Sequence, residues 1–279
     1  MHELNQSSFI MLAKSTSKLN RHKRYLQIAL NSNLVDAAKI ISQLPVSERI
    51  ILEVGTPLIK RFGVAAIRQI KSWYQLRLLG PQIGQAVAGS SSPLLSWIAK
   101  QVSGQMSGTV GQKTTFKTES LTAYVVADLK MMDRGAEEVE IAYEGGADAA
   151  VALGLAPVES LDAFIERCAI RKLDAMIDMM NVSFPLEVLR KLKKPPKVVI
   201  LHRGVDEEHF NREKELPLHE IQLIKGSYDM MIAVAGGDEI REVQRAIFND
   251  ADIVVVWKSF YQSTGDTARL AAEFLEHVK

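Results

Sequence analysis

The sequence predicts an α/β fold: a single-domain (β/α)8 TIM barrel with one long insertion between the second helix and the third strand. Three observations predict it. Short β-branched and aliphatic runs alternate with helical stretches eight times. Such alternation implies parallel strands joined by right-handed crossovers. Many of the runs stop at a charged or polar residue, as strands do at the rim that carries the chemistry of such a barrel, and a length of 279 residues suits a fold that takes about 250.

Residues 1–24 show no period and read as an arm; 25–279 hold the barrel. Tyr25–Leu30 is strand-like and ends at Asn31. Asn33 caps a helix in which Leu34, Ala37, Ala38, Ile41 and Leu44 keep a helical spacing, and Pro45 closes it. Ile50–Gly55 is a second strand with Glu53 near its end, and Val64, Ile67, Ile70 and Tyr74 mark one face of a helix over 63–78. Residues 80–120 break the pattern. They hold 6 of the 17 glycines and 7 serines but only four charges, Lys100, Lys113, Lys117 and Glu119, a composition that reads as a loop. Within it, 93–102 has the makings of a short amphipathic helix.

The pattern then resumes. Strand 123–127 meets Asp128, Lys130 and Asp133, and a helix follows to Glu144, ended by Gly145-Gly146. Strand 149–153 leads to a helix over 158–171. Strand 174–177 ends at Asp178, before a helix over 185–192. Strand 198–201 ends at His202, and a helix near 218–225 follows. Strand 229–235 runs into Gly236-Gly237 and a helix over 238–249; strand 253–256 and a helix over 267–278 complete the eight units.

Composition excludes several classes. Net charge is +1 with a pI near 7.8, so no strong field favours nucleic acid or anionic lipid. The basic residues of the arm, Lys14, Lys18, Arg21, Lys23 and Arg24, read as a solvated tail rather than a nucleic-acid arm. The lone cysteine, Cys168, excludes an intrachain disulfide, reads as a packing residue in a helix, and fits a reducing compartment. No apolar run approaches the ~18 residues of a membrane span, and the start of the chain lacks the pattern of a secretory leader. Cytoplasmic location is the expectation.

The rim residues suggest chemistry. Glu53 and Asp128 on neighbouring strands suit a hard divalent cation such as magnesium, with waters completing its shell; alternatively each pairs with a lysine. Lys130 points the same way as Asp128 and is expected between Asp128 and Asp133, where its charge would stabilise a developing enolate. His202 is the acid–base candidate. A lone histidine is commonly structural, but this one stands at a strand end before Gly204 and Asp206. Gly236-Gly237 before a helix offers bare N–H groups to a phosphate, although ordinary turns use such pairs too.

Several segments resemble, in order, the 3-hexulose-6-phosphate synthase and 3-keto-L-gulonate-6-phosphate decarboxylase branch of the orotidine 5'-monophosphate decarboxylase superfamily. They are Leu26-Gln-Ile-Ala-Leu30, Glu53-Val-Gly-Thr-Pro-Leu-Ile59, Ala127-Asp-Leu-Lys-Met-Met-Asp-Arg-Gly135, Asp178-Met-Met-Asn-Val182, His202-Arg-Gly-Val-Asp206 and Ala233-Val-Ala-Gly-Gly237. The resemblance covers about 25–79 and 122–278. It implies that Glu53 and Asp128 ligate magnesium, with manganese as a substitute, and that Lys130 stabilises an enediolate. It implies that Asp133 reaches into the site of a partner in a homodimer with shared sites, and that His202 moves protons or orients an aldehyde. Gly236 and Gly237 would contact the substrate phosphate, with Asp178 among the substrate-binding residues. The implied reaction is aldol addition of formaldehyde to ribulose 5-phosphate, or its reverse. A sugar-phosphate decarboxylase is the near alternative, and a barrel that only binds a ligand or a protein is the distant one.

Two departures stand out. Asn31 replaces the family's usual aspartate, which removes a negative neighbour of Lys130 and lowers that lysine's proton affinity relative to the family. After strand eight the family has Gly-Gly or Gly-Arg, where this chain reads Trp257-Lys258-Ser259. Either Lys258 and Ser259 serve the phosphate, or Trp257 fills the cup.

Overall fold

The computed structural model describes residues 17–87, 121–211 and 213–279. Eight parallel strands close into a barrel in chain order: β1 Tyr25–Leu30, β2 Ile50–Val54, β3 Val125–Met131, β4 Ala149–Leu153, β5 Asp174–Asp178, β6 Val198–His202, β7 Met231–Ala235 and β8 Ile253–Val256. β8 returns to β1 with Tyr25 opposite Ile253. The fold predicted from the alternation of strands and helices is the fold observed.

Two apolar layers explain the closure. Every second strand residue faces out and packs under the helices, as Leu26, Ile28 and Leu30 do. The intervening residues, Tyr25, Ala29, Ile51, Val126, Val151, Met176, Val198 and Ile200, fill the interior. Burying each large side chain contributes about 1.5–3 kcal/mol. This period of two places the site. Ile51, Val126, Met176 and Ile200 point inward, so Glu53, Asp128, Asp178 and His202, two residues further along, point inward too, nearer the rim.

Helix Leu34–Gln43 begins as predicted, with the Asn33 side chain accepting from the Asp36 amide at 2.9 Å. The second helical region is longer than predicted. After helix Thr56–Phe62, a helix runs Val64–Val87, so residues 80–87 are helical rather than loop. Gly80, Pro81 and Gly84 read as breakers, but a helix already nucleated and packed through Ile67, Ile70 and Tyr74 extends at low cost. The rest of the insertion, 88–120, lies outside the described residues, as do 1–16. Three short helices, Thr56–Phe62 after β2, Val205–Phe210 after β6 and Lys258–Gln262 after β8, were not anticipated. Each is too short to show a clear period.

The arm is no solvated tail over its described part. Leu19 is buried against the interior layer at the floor of the barrel. Ser17 Oγ donates to Asp174 at 2.8 Å, and Lys18 pairs with Asp148 at 3.0 Å. Arg21, Lys23 and Arg24 pair with Asp229, Glu48 and Asp250. The barrel's own carboxylates neutralise these charges, a match between distant segments that the arm's composition does not reveal. Cys168 is fully buried in helix Val158–Arg171, and burial pushes its thiol far above the usual range, as suits a packing residue. Among the described residues, no helix is long and apolar enough to cross a membrane.

Candidate active site

A cavity of about 410 Å³ opens at the C-terminal ends of the strands. Asn31, Glu53, Thr56, Asp128, Lys130, Asp178, His202, Arg203, Glu208, Gly236 and Trp257 line it. Seven of the eight strand ends, all but that of β4, thus contribute to one mouth.

Lys130 is its centre. Its ammonium lies 2.9 Å from both Asp128 oxygens and 2.9 Å from Asp178 Oδ2. The expected second partner, Asp133, is instead exposed on the turn beyond β3, where Ser160 Oγ approaches it at 3.4 Å. The backbone supplies the reason. Lys130 has φ +50° in the left-handed region, and the β3–β4 register shifts between Ala127 and Met131. A bulge of this kind re-aims a side chain. It turns the lysine inward toward β5, at a cost of roughly 1–3 kcal/mol in backbone strain. Burial pulls the Lys130 pKa down, but Asp128, Asp178 and Glu53 outweigh it and hold the ammonium above the ordinary range despite Asn31.

Asp178 organises the other half. It is fully buried, and its Oδ2 also lies 2.8 Å from His202 Nδ1, while Oδ1 accepts from the Met180 amide at 2.9 Å. Burial opposes its ionisation, yet His202 and Lys130 prevail and hold its carboxyl at about 2, below the usual 3.8. In turn, burial pulls His202 down and Asp178 more than reverses it, so the imidazole is a stronger base than usual. Asp178 therefore positions both Lys130 and His202 at the cavity wall.

Glu53 and Asp128 form the third feature. Burial, then the Asp128 charge, pushes the Glu53 carboxyl up to about 7 from 4.5. The Gln27 amide below donates to Glu53 Oε2, and Gln27 Oε1 has no hydrogen-bond partner although fully buried. Asp128 Oδ2 also accepts from Thr56 Oγ1 at 2.8 Å. Two buried carboxylates that resist sharing negative charge, each with a lone pair to spare, fit a hard divalent cation. Among the described residues no group of three or more His, Cys, Asp or Glu side chains is arranged to hold a metal. Glu53 and Asp128 would hold it as a pair, which suits magnesium, whose shell is completed by water and substrate.

Asn31 lines the mouth with its amide against Gly55, where an added Cβ would sit 1.7 Å from Asn31 Oδ1. Gly236 has φ +94°, and a Cβ there would lie 2.1 Å from the Arg203 carbonyl, so only glycine fits. Gly237 packs on Glu242 and Leu216 and does not line the cavity. Nor do Asp133, Lys258 and Ser259. Lys258 pairs with Glu208, and Ser259 Oγ donates to the Asp238 carbonyl at 3.0 Å. Sequence reasoning missed Gln27, Thr56, Arg203, Glu208 and Asp238. Gln27 alone carried a signal: it is a polar residue in an apolar strand, two residues before inward-facing Ala29.

The profile of the "Orotidine 5'-phosphate decarboxylase / HUMPS family" matches residues 107–273. The chain is 30% identical over 256 residues to a "Bifunctional enzyme Fae/Hps" of Methanothrix thermoacetophila, covering 91% of this chain and 53% of that protein. It is 31% identical over 260 residues to the protein of the same name from Methanosphaera stadtmanae, covering 91% and 52%. The chain thus spans about half the length of the curated relatives it matches. Among solved structures, 3-hexulose-6-phosphate synthase from Salmonella typhimurium superposes with a TM-score of 0.64 at 22% identity, over 91% of this chain and 99% of that one. KGPDC from Streptococcus mutans superposes with a TM-score of 0.63 at 14% identity, over 92% and 97%. At these identities the two structures establish the barrel and nothing finer.

Proposed function

The chain belongs to the orotidine 5'-phosphate decarboxylase / HUMPS family, and we propose that it is a carbon–carbon lyase of the 3-hexulose-6-phosphate synthase type. It would add formaldehyde to ribulose 5-phosphate, or run the reverse reaction. The observation that carries the reading is the Asp128–Lys130–Asp178–His202 chain in the mouth, every link at 2.8–2.9 Å. It offers a fixed positive charge beside a strengthened base.

In this reading the proton on the hydroxymethyl carbon next to the ketone leaves, and the enediolate so formed attacks the formaldehyde carbon. Lys130 meets the negative charge on the enediolate oxygens. His202, its basicity raised by Asp178, accepts a proton on the imidazole edge facing the cavity and returns it to the new alkoxide. A magnesium ion held by Glu53 and Asp128 would supply further charge that acidifies the carbon. The walls of the mouth keep bulk water from the carbanion.

The reading includes a homodimer. Met132, Phe184 and Phe210 are exposed apolar side chains on the same rim as Asp133, and a second copy burying them would carry Asp133 toward its neighbour's site. If so, mixing Asp133→Asn and Lys130→Ala proteins restores part of the activity that each lacks alone.

The direct test mixes purified protein with ribulose 5-phosphate, formaldehyde and magnesium. Formaldehyde loss well above that of a Lys130→Ala control supports the synthase; none above it sinks the proposal. A β-keto acid sugar phosphate in the same assay separates a decarboxylase.

A further inference from the structure

One carboxylate at the edge of the mouth is shared by two cations. Glu208, on helix Val205–Phe210, sets one oxygen on the Lys258 ammonium and the other 3.8 Å from the Arg203 guanidinium. Lys258 follows β8 and Arg203 follows β6, so the carboxylate bridges the arc that β7 and Gly236 complete. Arg203 also donates to the Gly236 carbonyl and to Glu242, the latter at 2.8 Å, and its remaining guanidinium contact is the Lys214 carbonyl at 3.3 Å. The adjacent amides of Trp257 and Lys258 donate to the two Asp238 oxygens at 2.7 and 3.1 Å. Each of these donors thus meets an oxygen of the chain itself.

The arrangement is open to exchange. Glu208 lines the main cavity, and with Lys258 it lines an adjoining cavity of about 440 Å³ that Asp206 and His209 also border. The Lys258–Glu208 pair is 30% and 28% exposed, and ion pairs so placed contribute about 0–1 kcal/mol. A phosphate ester carries nearly twice the charge and three acceptor oxygens, and it satisfies an ammonium and a guanidinium together better than one carboxylate does. Arg203 is braced by a backbone carbonyl and Glu242 and stays in place when its longer contact to Glu208 is lost.

We infer that Glu208, which lines both cavities, is a specificity residue that occupies the Lys258 ammonium and the Arg203 guanidinium until the anionic group of the substrate displaces it. The inference rests on the proposed function only in taking the ligand to be a phosphate ester. It gives Glu208 the role of a specificity residue: an incoming anion must out-compete it, so weakly charged sugars leave it seated.

The test is calorimetric titration of the full chain with inorganic phosphate. Glu208→Gln keeps the size and shape of the side chain but removes the competing charge, and is expected to tighten phosphate binding roughly tenfold, about 1.4 kcal/mol. Adding Lys258→Met to that variant is expected to abolish the gain. Unchanged or weaker phosphate binding in Glu208→Gln overturns the inference, as does a gain that survives Lys258→Met. A fall in Tm without a change in phosphate affinity also overturns it, by making Glu208 a structural strap. The outcomes separate from those of the proposed reaction. If ribulose 5-phosphate is not consumed and phosphate still tightens, the reaction falls and the inference stands. If it is consumed with a KM that Glu208→Gln leaves unmoved, the inference falls and the reaction stands.

Discussion

Asp178 Oδ2 lies 2.8 Å from His202 Nδ1, and the same oxygen lies 2.9 Å from Lys130 Nζ. One buried atom therefore fixes both the acid–base group and the cation, and β5 sets the distance between them. Four consequences of the structure can be measured.

Asp178→Asn keeps the shape but removes the charge that both cations face. Breaking a buried pair from one side costs about 3–5 kcal/mol, which a denaturant melt reads directly. The His202 titration is the sharper measurement. Without the Asp178 charge, burial is no longer outweighed, and the imidazole pKa, now raised, falls. An NMR titration in which it stays put contradicts the role given to Asp178.

The pH dependence of stability follows with a defined sign. Asp178 has its folded pKa depressed to about 2 from 3.8. Its contribution, about 2 kcal/mol, is present above pH 3.8 and is lost as pH falls through about 2. His202 has its folded pKa raised above 6.5, so its share is present below that value and fades as pH rises through the folded pKa. Urea midpoints between pH 2 and pH 9 should show both shoulders in the wild type, and neither in Asp178→Asn.

Glu53 behaves in the opposite manner from Asp178. Its folded pKa of about 7 exceeds the ordinary 4.5, so stability is lost as pH rises through about 7. Glu53→Gln removes that penalty and should stabilise the metal-free protein at pH 8 by up to about 3 kcal/mol. Adding magnesium should raise the Tm of the wild type and leave the variant where it was. Equal magnesium responses would remove Glu53 from the ligand set.

At the floor of the barrel, packing should count for more than charge. Leu19→Ala empties a buried site and should cost about 2–5 kcal/mol. Lys18→Ala loses an ion pair whose lysine is 42% exposed and should cost less than about 1 kcal/mol. Both are read from urea melts of the full chain. A larger loss from Lys18→Ala would make the arm an electrostatic clamp.

Much of this was legible in the sequence because barrels are periodic. Eight alternations gave the closure, and strand parity carried Glu53, Asp128, Asp178 and His202 to one mouth. What escaped depends on contacts between distant segments or on single backbone angles. The turn of Lys130 toward Asp178 instead of Asp133 rests on one φ of +50°, which nothing in Asp-Leu-Lys announces. The pairing of Lys18 with Asp148 spans 130 positions, and no local pattern encodes it. Glu208 and Asp238 carried no signal, because their partners, Lys258 and the Trp257 amide, lie 50 and 19 positions along the chain. Gly80, Pro81 and Gly84 misled because propensity is local and helix growth is cooperative.

The closed floor has a consequence for traffic. With Leu19 packed beneath the barrel and Tyr25, Tyr124 and Val126 in the layer above it, the described residues plug the interior at this end. Whatever reaches Lys130 therefore enters by the mouth that Glu208 and Trp257 help to line, and its product leaves by the same door. Arrival and departure are therefore mutually exclusive, and a molecule parked at that doorway blocks both directions at once.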